Sequence, residues 1–329
     1  MNQYHIPGLS IGIVQNGSII YSKGYGVKSI ATTNLVTENS IFHTASISKL
    51  FTAVAIVDLV EEKVFTLDDK LVHLIPDLQY NDQRVREISV KNLLNHTSGL
   101  KDIKNYNWRK NHQADHSLKD YVLGHQLKLK ANPSSQYAYN NLAYDVLGYL
   151  IEKKTHTTYD VFLKENILDK TGMTNSDFRY FKIQDALKTE PHGKRLISKN
   201  IYTRKTYPYT REHAPSSTLN ASATDLSQWM ISFMHDLENS AAKNAYRKMI
   251  EPSFNAKTNI GLGFQLSKIS GEKTIGHYGG DKGFRSYLIM IPSRKIGLVL
   301  LANCDYEEDF RQEILHPIAK ILVEPLNEG

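Results

Sequence analysis

The stretch Ser46-Ile47-Ser48-Lys49, followed by the apolar run from Leu50 to Val60, decides the fold of this 329-residue chain. Apolar side chains in the run cover nearly every face of a helix, which predicts a central helix enclosed by other elements. At its first turn Ser46 and Lys49 stand three residues apart and therefore lie on one face. The amine of Lys49 can then reach the hydroxyl of Ser46 without help from elsewhere in the chain.

The start of such a helix suits a serine nucleophile. Its unpaired N–H groups and partial positive charge favour an anion forming at the serine oxygen. A lysine that opens a very apolar helix must either reach water or lose its proton more easily, and the second outcome makes it a base. The S-x-x-K motif alone is nevertheless a weak signal, because most such pairs are solvated surface residues.

Length and composition describe an ordinary globular chain. With 329 residues, 41% of them hydrophobic, it can bury a large core as one big domain or two interleaved subdomains. No apolar run approaches the roughly 20 residues of a membrane span, and the first residues lack the features of a signal peptide. We expect a cytoplasmic protein if the chain is complete, and a periplasmic or extracellular one if an N-terminal signal was removed. The single cysteine, Cys304, is expected to be a buried thiol.

The net charge of +6 is modest, and much of it can come from one stretch with little periodicity, between 182 and 217. Basic residues that alternate with aromatic ones can track single-stranded nucleic acid, but no binding fold surrounds them here, which favours a solvated loop beside a pocket. Loops this long are usually functional or mobile, so we expect it to border the active site. The residues concerned are Lys194, Arg195, Lys199, Arg204, Lys205 and Arg211, with Tyr202, Tyr207 and Tyr209.

Strand signals lie at both ends of the chain, with helical signals between them. Gln15-Asn16-Gly17 separates two apolar runs, which is the strongest short-range signal for a hairpin. Both termini are predicted to build one antiparallel sheet with helices on its faces. We therefore predict an α/β sheet subdomain from 1–62 and 216–329, and a helical subdomain with a long active-site loop from 63–215. The C-terminal signals are strands at 263–266, 274–278, 284–291 and 296–301 and a closing helix over about 307–323.

Two further stretches join the S-x-x-K motif in a fixed order. One contains Tyr139-x-Asn141 and the other is Gly276-His277-Tyr278-Gly279-Gly280, so the chain reads S-x-x-K, Y-x-N and H-x-G. This set strongly resembles the serine β-lactamase and penicillin-binding-protein-like hydrolases: class C β-lactamases, D-alanyl-D-alanine carboxypeptidases and related esterases and D-amino-acid peptidases. Supporting stretches are Leu93-Leu94-Asn95-His96-Thr97-Ser98-Gly99-Leu100 and Gly172-Met173, and the likeness runs from about Ile6 to Leu301.

The resemblance implies an α+β, β-lactamase/transpeptidase-like fold with a five-stranded antiparallel sheet flanked by helices and a mostly helical subdomain. It also implies a serine hydrolase without cofactor or metal, acting on a small-molecule acyl substrate such as a β-lactam, a D-amino-acid peptide or an ester. No nucleic-acid partner and no membrane span are expected. His112 and His116 have the spacing of a zinc helix but lack the glutamate of H-E-x-x-H, and we interpret them as a solvated helix face.

Catalytic roles follow from the same resemblance. Ser46 would attack an acyl carbonyl and form an ester that water later cleaves. Lys49 and Tyr139 would share the proton taken from the serine, as a coupled network with no fixed proton on either base. Asn141 would orient the substrate's amide. The N–H groups of Ser46 and Gly280 would form the oxyanion hole.

Each of these residues also has a purely structural interpretation. Tyr139 could be one more core tyrosine, and Asn141 could be the N-cap of a helix starting near Leu142. Gly279 and Gly280 could be a plain hairpin feature, whereas in the functional interpretation they leave room for a substrate along the strand. The ordered combination of motifs favours the functional interpretation.

One departure from the family pattern concerns the substrate. The lysine and threonine of K-T-G are His277 and Tyr278 here, and a neutral histidine lacks the permanent charge that helps to hold a substrate carboxylate. This favours an esterase, amidase or peptidase with weak β-lactam turnover. It also predicts that activity on anionic substrates rises as His277 protonates below about pH 6.5. The alternatives are a true class C-type β-lactamase and a penicillin-fold protein that binds ligand or self-assembles without turnover.

Overall fold

Both ends of the chain build one antiparallel sheet in the computed structural model, which describes residues 1–195, 197–239, 244–255, 258–306 and 310–324. The N-terminal hairpin consists of β1 (Gly8–Gln15) and β2 (Ser18–Gly26), and its turn residues Asn16 and Gly17 have φ of 51° and 75°. This confirms the hairpin signal. The remaining strands are β3 (Gln265–Ile269), β4 (Glu272–Asp281), β5 (Phe284–Ile291) and β6 (Ile296–Ala302), and the order across the sheet is β2-β1-β6-β5-β4-β3.

The sheet has six strands, one more than the resemblance implied. β3 lies at the edge beside β4, in the region where 263–266 predicted a strand. The turn Ser270-Gly271, with φ of 48° and 83°, returns the chain from β3 into β4. The two chain ends meet where β1 pairs with β6, from Leu9 opposite Ala302 to Gln15 opposite Ile296. The antiparallel α+β architecture predicted from the sequence is confirmed.

Helices cover both faces of the sheet. Alternate residues of β6 contribute to two separate apolar clusters: Val299 and Leu301 to one, Leu298 and Leu300 to the other. This is the pattern expected of a strand buried on both faces. The cluster with Val299 contains α8 (Ala223–Asn239), and the cluster with Leu298 contains α10 (Phe310–Val323). The closing helix was predicted over about 307–323, of which 307–309 lie outside the described residues.

The central helix is α1 (Ser48–Glu61), in which every residue from 48 to 57 is buried. The prediction of an enclosed helix is confirmed, although Ser46 itself lies in a single 3-10 turn, Ala45–Ile47, just before it. Cys304 is buried, as expected. The other helices are α2 (Leu71–Leu74), α3 (Val90–Leu94), α4 (Ser117–Gly124), α5 (Asn141–Thr155), α6 (Tyr159–Leu163), α7 (Ala214–Ser217) and α9 (Asn244–Met249).

Most helices between α1 and α8 come from 63–215, and the division into two subdomains at those boundaries stays a prediction. His112 and His116 are exposed, but His112 lies in a loop and His116 directly precedes α4, so they do not share a helix face. That part of the sequence interpretation was wrong, because i, i+4 spacing orients side chains together only inside a helix. Across the described ranges, no helix combines the length and the apolar character needed to cross a membrane.

Candidate active site

The proposed nucleophile lies on a strained turn. Ala45 has a φ of 50°, a left-handed conformation that costs energy for a residue with a Cβ. Ser48 holds the turn, because its hydroxyl donates to the carbonyl of Ala45 at 2.7 Å. The next carbonyl back, that of Thr44, accepts from the Ser286 hydroxyl of β5 at 2.7 Å. The turn is thus fixed to both α1 and the sheet, and Ser46 is its one partly exposed residue.

Lys49 is completely buried and reaches Ser46 as the sequence predicts. Its Nζ lies 3.2 Å from the hydroxyl oxygen of Ser46, 2.8 Å from Asn141 Oδ1 and 2.6 Å from the carbonyl oxygen of Ser216. Burial lowers the pKa of Lys49 to about 7, against the opposing attraction of nearby carboxylates, first among them Asp145. A neutral amine has two N–H donors and one lone pair. It can therefore keep its bonds to Asn141 and Ser216 while accepting the proton of Ser46.

Tyr139, in the segment just before α5, contacts the same serine. Its hydroxyl lies 2.9 Å from the hydroxyl oxygen of Ser46, and Lys49 Nζ lies 5.0 Å from its ring centroid. Burial raises the pKa of Tyr139, with the hydrogen bond to Ser46 acting in the opposite direction. The phenol therefore holds its proton at neutral pH. These opposite pKa directions separate the two members of the expected network: Lys49 suits the role of base and Tyr139 that of acid.

His277 also faces this site, but not as the sequence interpretation expected. Its imidazole is 2% exposed, and its ring centroid lies 6.0 Å from that of Tyr139. Burial, together with the positive charge of Lys49, lowers the pKa of His277 to about 3. The expectation that His277 protonates below about pH 6.5 and thereby recruits anionic substrates was therefore wrong. Its Nδ1 donates to the carbonyl of Tyr278 at 2.5 Å, which leaves Nε2 as a buried acceptor without a protein partner among the described residues.

Asn141 is held between the base and a carboxylate. Its Oδ1 accepts from Lys49, and its Nδ2 donates to Asp102 Oδ2 at 3.0 Å. The alternative that Asn141 is an N-cap was wrong, because the cap of α5 is Asn140, whose Oδ1 accepts from the backbone N–H of Ala143 at 2.8 Å. The side chain of Asn141 is instead held in the site by Lys49 and Asp102.

Gly279 and Gly280 lie in β4, opposite Ser286 and Arg285 of β5, and are therefore part of the β4–β5 hairpin just before its turn. A Cβ on Gly279 would come within 2.2 Å of the carbonyl oxygen of Thr44, so only glycine lets the strand approach the serine turn this closely. The N–H of Tyr278 points away from β5, since it donates to Gln265 Oε1 at 3.2 Å. Alternate N–H groups of a strand point the same way.

The N–H of Gly280 therefore also points away from β5. β3 pairs with β4 only from Glu272 to Gly276, so within the described part of the chain this N–H lies on an open edge. It can donate a hydrogen bond to a substrate there.

The structure thus brings together Ser46, Lys49, Tyr139 and Asn141 by direct hydrogen bonds, with His277, Gly279 and Gly280 beside them. Their catalytic roles stay predictions.

Sequence reasoning missed the residues that hold these groups in place. Asp102 Oδ1 accepts the backbone N–H groups of Asn141 and Leu142 at 2.7 and 3.1 Å, which fixes the start of α5. His96, with a φ of 59°, packs against Tyr139 at 4.6 Å between ring centroids. His96 belongs to the stretch Leu93–Leu100 that supports the resemblance, but the sequence alone indicates no role for it. Asp102 and Ser216 carry no periodicity or motif signal, so only their positions in the fold reveal them.

The sheet built from both termini, with the serine turn between α1 and β4, is the β-lactamase/transpeptidase-like fold. The family model described as Beta-lactamase matches residues 1–322, and the chain belongs to this family. The predicted family and fold class are thereby confirmed.

Individual proteins and solved structures are also similar to this chain. The chain is 28% identical over 319 residues to "Protein flp" of Staphylococcus aureus, covering 92% of this chain and 61% of that protein. It is 24% identical over 329 residues to "Penicillin-binding protein 4*" of Bacillus subtilis, covering 94% and 70%. Among solved structures, the octameric penicillin-binding protein homologue from Pyrococcus abyssi superposes with a TM-score of 0.82 at 23% identity, covering 97% of this chain and 75% of that one. The chain spans about three fifths of the Staphylococcus relative, and the structural likeness concerns the fold alone.

Proposed function

We propose that the protein is a serine hydrolase that acts through an acyl-enzyme on an amide, ester or β-lactam carbonyl. The observation that carries this proposal is the convergence on one hydroxyl oxygen of a buried lysine, 3.2 Å away, and a tyrosine, 2.9 Å away. Membership of the Beta-lactamase family and the similarity to a protein named as penicillin-binding support the same chemistry.

In the acylation step, the neutral amine of Lys49 takes the proton of Ser46 while the serine oxygen bonds to the substrate carbonyl carbon. The carbonyl electrons move to its oxygen, which the N–H groups of Ser46 and Gly280 stabilise. Each such donor contributes roughly 3 to 4 kcal/mol in comparable hydrolases. Tyr139 then gives its proton to the leaving group as the old bond breaks. The ammonium of Lys49 returns the proton that it took from Ser46 to the phenolate, which restores both groups.

Deacylation reverses these roles with water. The water gives its proton to a base of the same network and attacks the ester carbonyl, and Ser46 leaves with a proton returned to its oxygen. The Nδ2 of Asn141 carries a second hydrogen besides the one donated to Asp102. We propose that this second N–H donates a hydrogen bond to a carbonyl oxygen of the substrate, either that of its acyl amide or one nearby.

A test of the proposal uses p-nitrophenyl acetate and a fluorescent penicillin with the wild type and Ser46→Ala. We expect ester turnover and covalent labelling in the wild type and neither in Ser46→Ala. Ser18→Ala, at an exposed serine of the edge strand β2 on the far side of the sheet from β4, is the matched control and should retain both. Turnover that survives in Ser46→Ala would contradict the serine mechanism.

The same pair of reagents separates the alternatives. Rapid penicillin turnover would indicate a true β-lactamase, whereas stoichiometric labelling without release would indicate a penicillin-binding sensor or peptidase. Binding of penicillin without labelling or ester turnover would support a protein of this fold that binds ligand without catalysis. A neutral His277 favours the ester or amide substrates over β-lactams, because no charged side chain stands at that position of the strand.

A further inference from the structure

We propose that the acyl part of the substrate carries an anionic group, such as a carboxylate, that binds in a positively charged pocket at the end of β4. This inference rests on the proposed function and narrows its substrate class. The pocket, of about 410 Å³, is called the cationic pocket below. Its basic lining residues are Arg109, Arg204, Lys205 and Lys282.

Among the described residues, the charges of this pocket are largely uncompensated. Arg204 pairs with Asp305 at 2.5 Å, which neutralises one of them. Arg109, Lys205 and Lys282 are exposed, and none of the three forms an ion pair with another described residue. No carboxylate is among the described residues that line the cavity. Several positively charged side chains around a concave surface raise the local concentration of an anion more than isolated surface charges do.

The wall of the cationic pocket is fixed by buried contacts. Trp108 is 3% exposed, and its Nε1 donates to Asp281 Oδ1 at 2.8 Å. Ser217 of α7 donates to the other oxygen of the same carboxylate at 3.0 Å. The ring of Tyr106 packs on Trp108 with a centroid distance of 4.5 Å. Asp281 therefore joins the loop, the strand and α7, so the pocket exists before a ligand arrives.

The cationic pocket adjoins the catalytic groups. The hydroxyl of Tyr106 donates to Ser216 Oγ at 2.8 Å, and the carbonyl of Ser216 is the one that holds Lys49. Lys282 follows Gly280 by two residues, or about 7 Å along an extended strand. A substrate whose carbonyl oxygen binds at Gly280 can therefore place a group a few bonds away into the pocket.

Geometry assigns the pocket to the acyl group and not to the leaving group. The leaving group must lie near Tyr139, which protonates it, and Tyr139 packs beside His277. His277 and Lys282 are five residues apart on and after β4, or about 16 Å in extended chain. The acyl substituent of the same carbonyl carbon points away from the leaving group and hence toward Lys282.

A set of four esters tests this assignment. The mono-p-nitrophenyl ester of glutaric acid has an anionic acyl group, and p-nitrophenyl valerate is its neutral counterpart of equal chain length. The butyrate ester of m-hydroxybenzoic acid carries the negative charge on the leaving group instead. At low salt we expect kcat/KM for the glutarate ester to exceed that for the valerate ester by about tenfold or more. No such preference is expected for an anionic leaving group relative to phenyl butyrate.

Variants then locate the preference. Arg109→Gln, Lys205→Gln and Lys282→Gln should each lower the glutarate-to-valerate ratio by about two- to fivefold, and the triple variant should remove most of it. Lys205→Glu should lower it further than Lys205→Gln. Lys119→Gln removes an exposed lysine of α4 outside the cationic pocket and should keep the wild-type ratio. Added salt should shrink the ratio, since exposed charges are screened.

The outcomes separate this inference from the proposed function. A wild-type ratio near one at low salt, or an unchanged ratio in the triple variant, would overturn the anionic acyl group while leaving the hydrolase intact. A preference for the anionic leaving group would overturn the placement of the pocket. Enzyme-dependent hydrolysis of all four esters that persists in Ser46→Ala would instead overturn the proposed function itself.

Discussion

The start of α1 and the middle of β4 each bury one basic side chain in the same site. The two burials have opposite consequences for whether the side chain can exchange a proton at neutral pH. Burial takes Lys49 from an ordinary pKa of 10.5 to about 7, and it takes His277 from 6.5 to about 3. Similar shifts thus place the pKa of the lysine where it can exchange a proton at neutral pH, and leave the histidine neutral at that pH. Burial in a low-dielectric site lowers the pKa of both basic residues, so only the residue with the higher ordinary pKa can act as a base near pH 7.

The largest effect on catalysis is expected from substitutions of Lys49, at the start of α1. Lys49→Met should lower kcat by about 10³- to 10⁴-fold, because the serine loses its base. Lys49→Arg is the sharper control, since arginine keeps the charge but does not give up its proton. We expect it to be equally inactive in a steady-state ester assay. If Lys49→Arg recovered most of the activity, the lysine would serve as a charge and not as a base.

Stability should change with pH in the same variant. Because the folded pKa of Lys49 is lowered, the unfolded chain binds more protons between pH 7 and about 10, and wild-type stability should rise with pH through that window. Lys49→Met lacks this contribution. Its free energy of unfolding relative to the wild type should therefore decline by up to about 4 kcal/mol from pH 7 to pH 10, measured by urea denaturation. A pH-independent difference would show that the buried amine is charged throughout.

Tyr139 tests the assignment of the acid. Tyr139→Phe should reduce kcat by about 10²- to 10³-fold on an alkyl ester, whose leaving group needs a proton. The reduction should be smaller on a p-nitrophenyl ester, because nitrophenolate leaves without one. Comparing the two substrates in one variant controls for any loss of folding. Equal losses on both esters would indicate that the phenol positions Ser46 and does not protonate the leaving group.

The smallest effect is expected on the β4 side. His277→Gln should change kcat/KM by less than about tenfold and leave the midpoint of the pH–rate profile in place, because a neutral group is replaced by a neutral group. Profiles of the wild type and the variant on the valerate ester provide the measurement. A shift of the acidic limb in His277→Gln would mean that the imidazole titrates in the working range.

Local patterns predicted the part of the site that lies close together in sequence. Ser46 and Lys49 share the first turns around α1, so spacing alone places them, and the ordered motifs led to Tyr139, Asn141 and Gly280. The pKa of His277 was predicted wrongly because its burial depends on tertiary packing that its neighbours in sequence do not specify. Asp102 and Ser216 were missed because each meets the site from a loop or a short helix without a periodic signal.

The cationic pocket shows the same limit. Arg204 and Lys205 belong to the basic, tyrosine-rich stretch that was expected to border a site, and they do line a pocket next to it. Arg109 and Lys282 come from distant segments, and only the fold places them beside that stretch.

The central claim is that Lys49 is the base because it can be neutral at neutral pH. The most direct measurement is the pH dependence of the acylation rate constant of the wild type, followed in single turnovers with the valerate ester. The rate should rise with pH through a midpoint near 7, as the buried amine loses its proton. A midpoint near the ordinary lysine pKa, or a flat profile between about pH 5 and 9, would contradict this account.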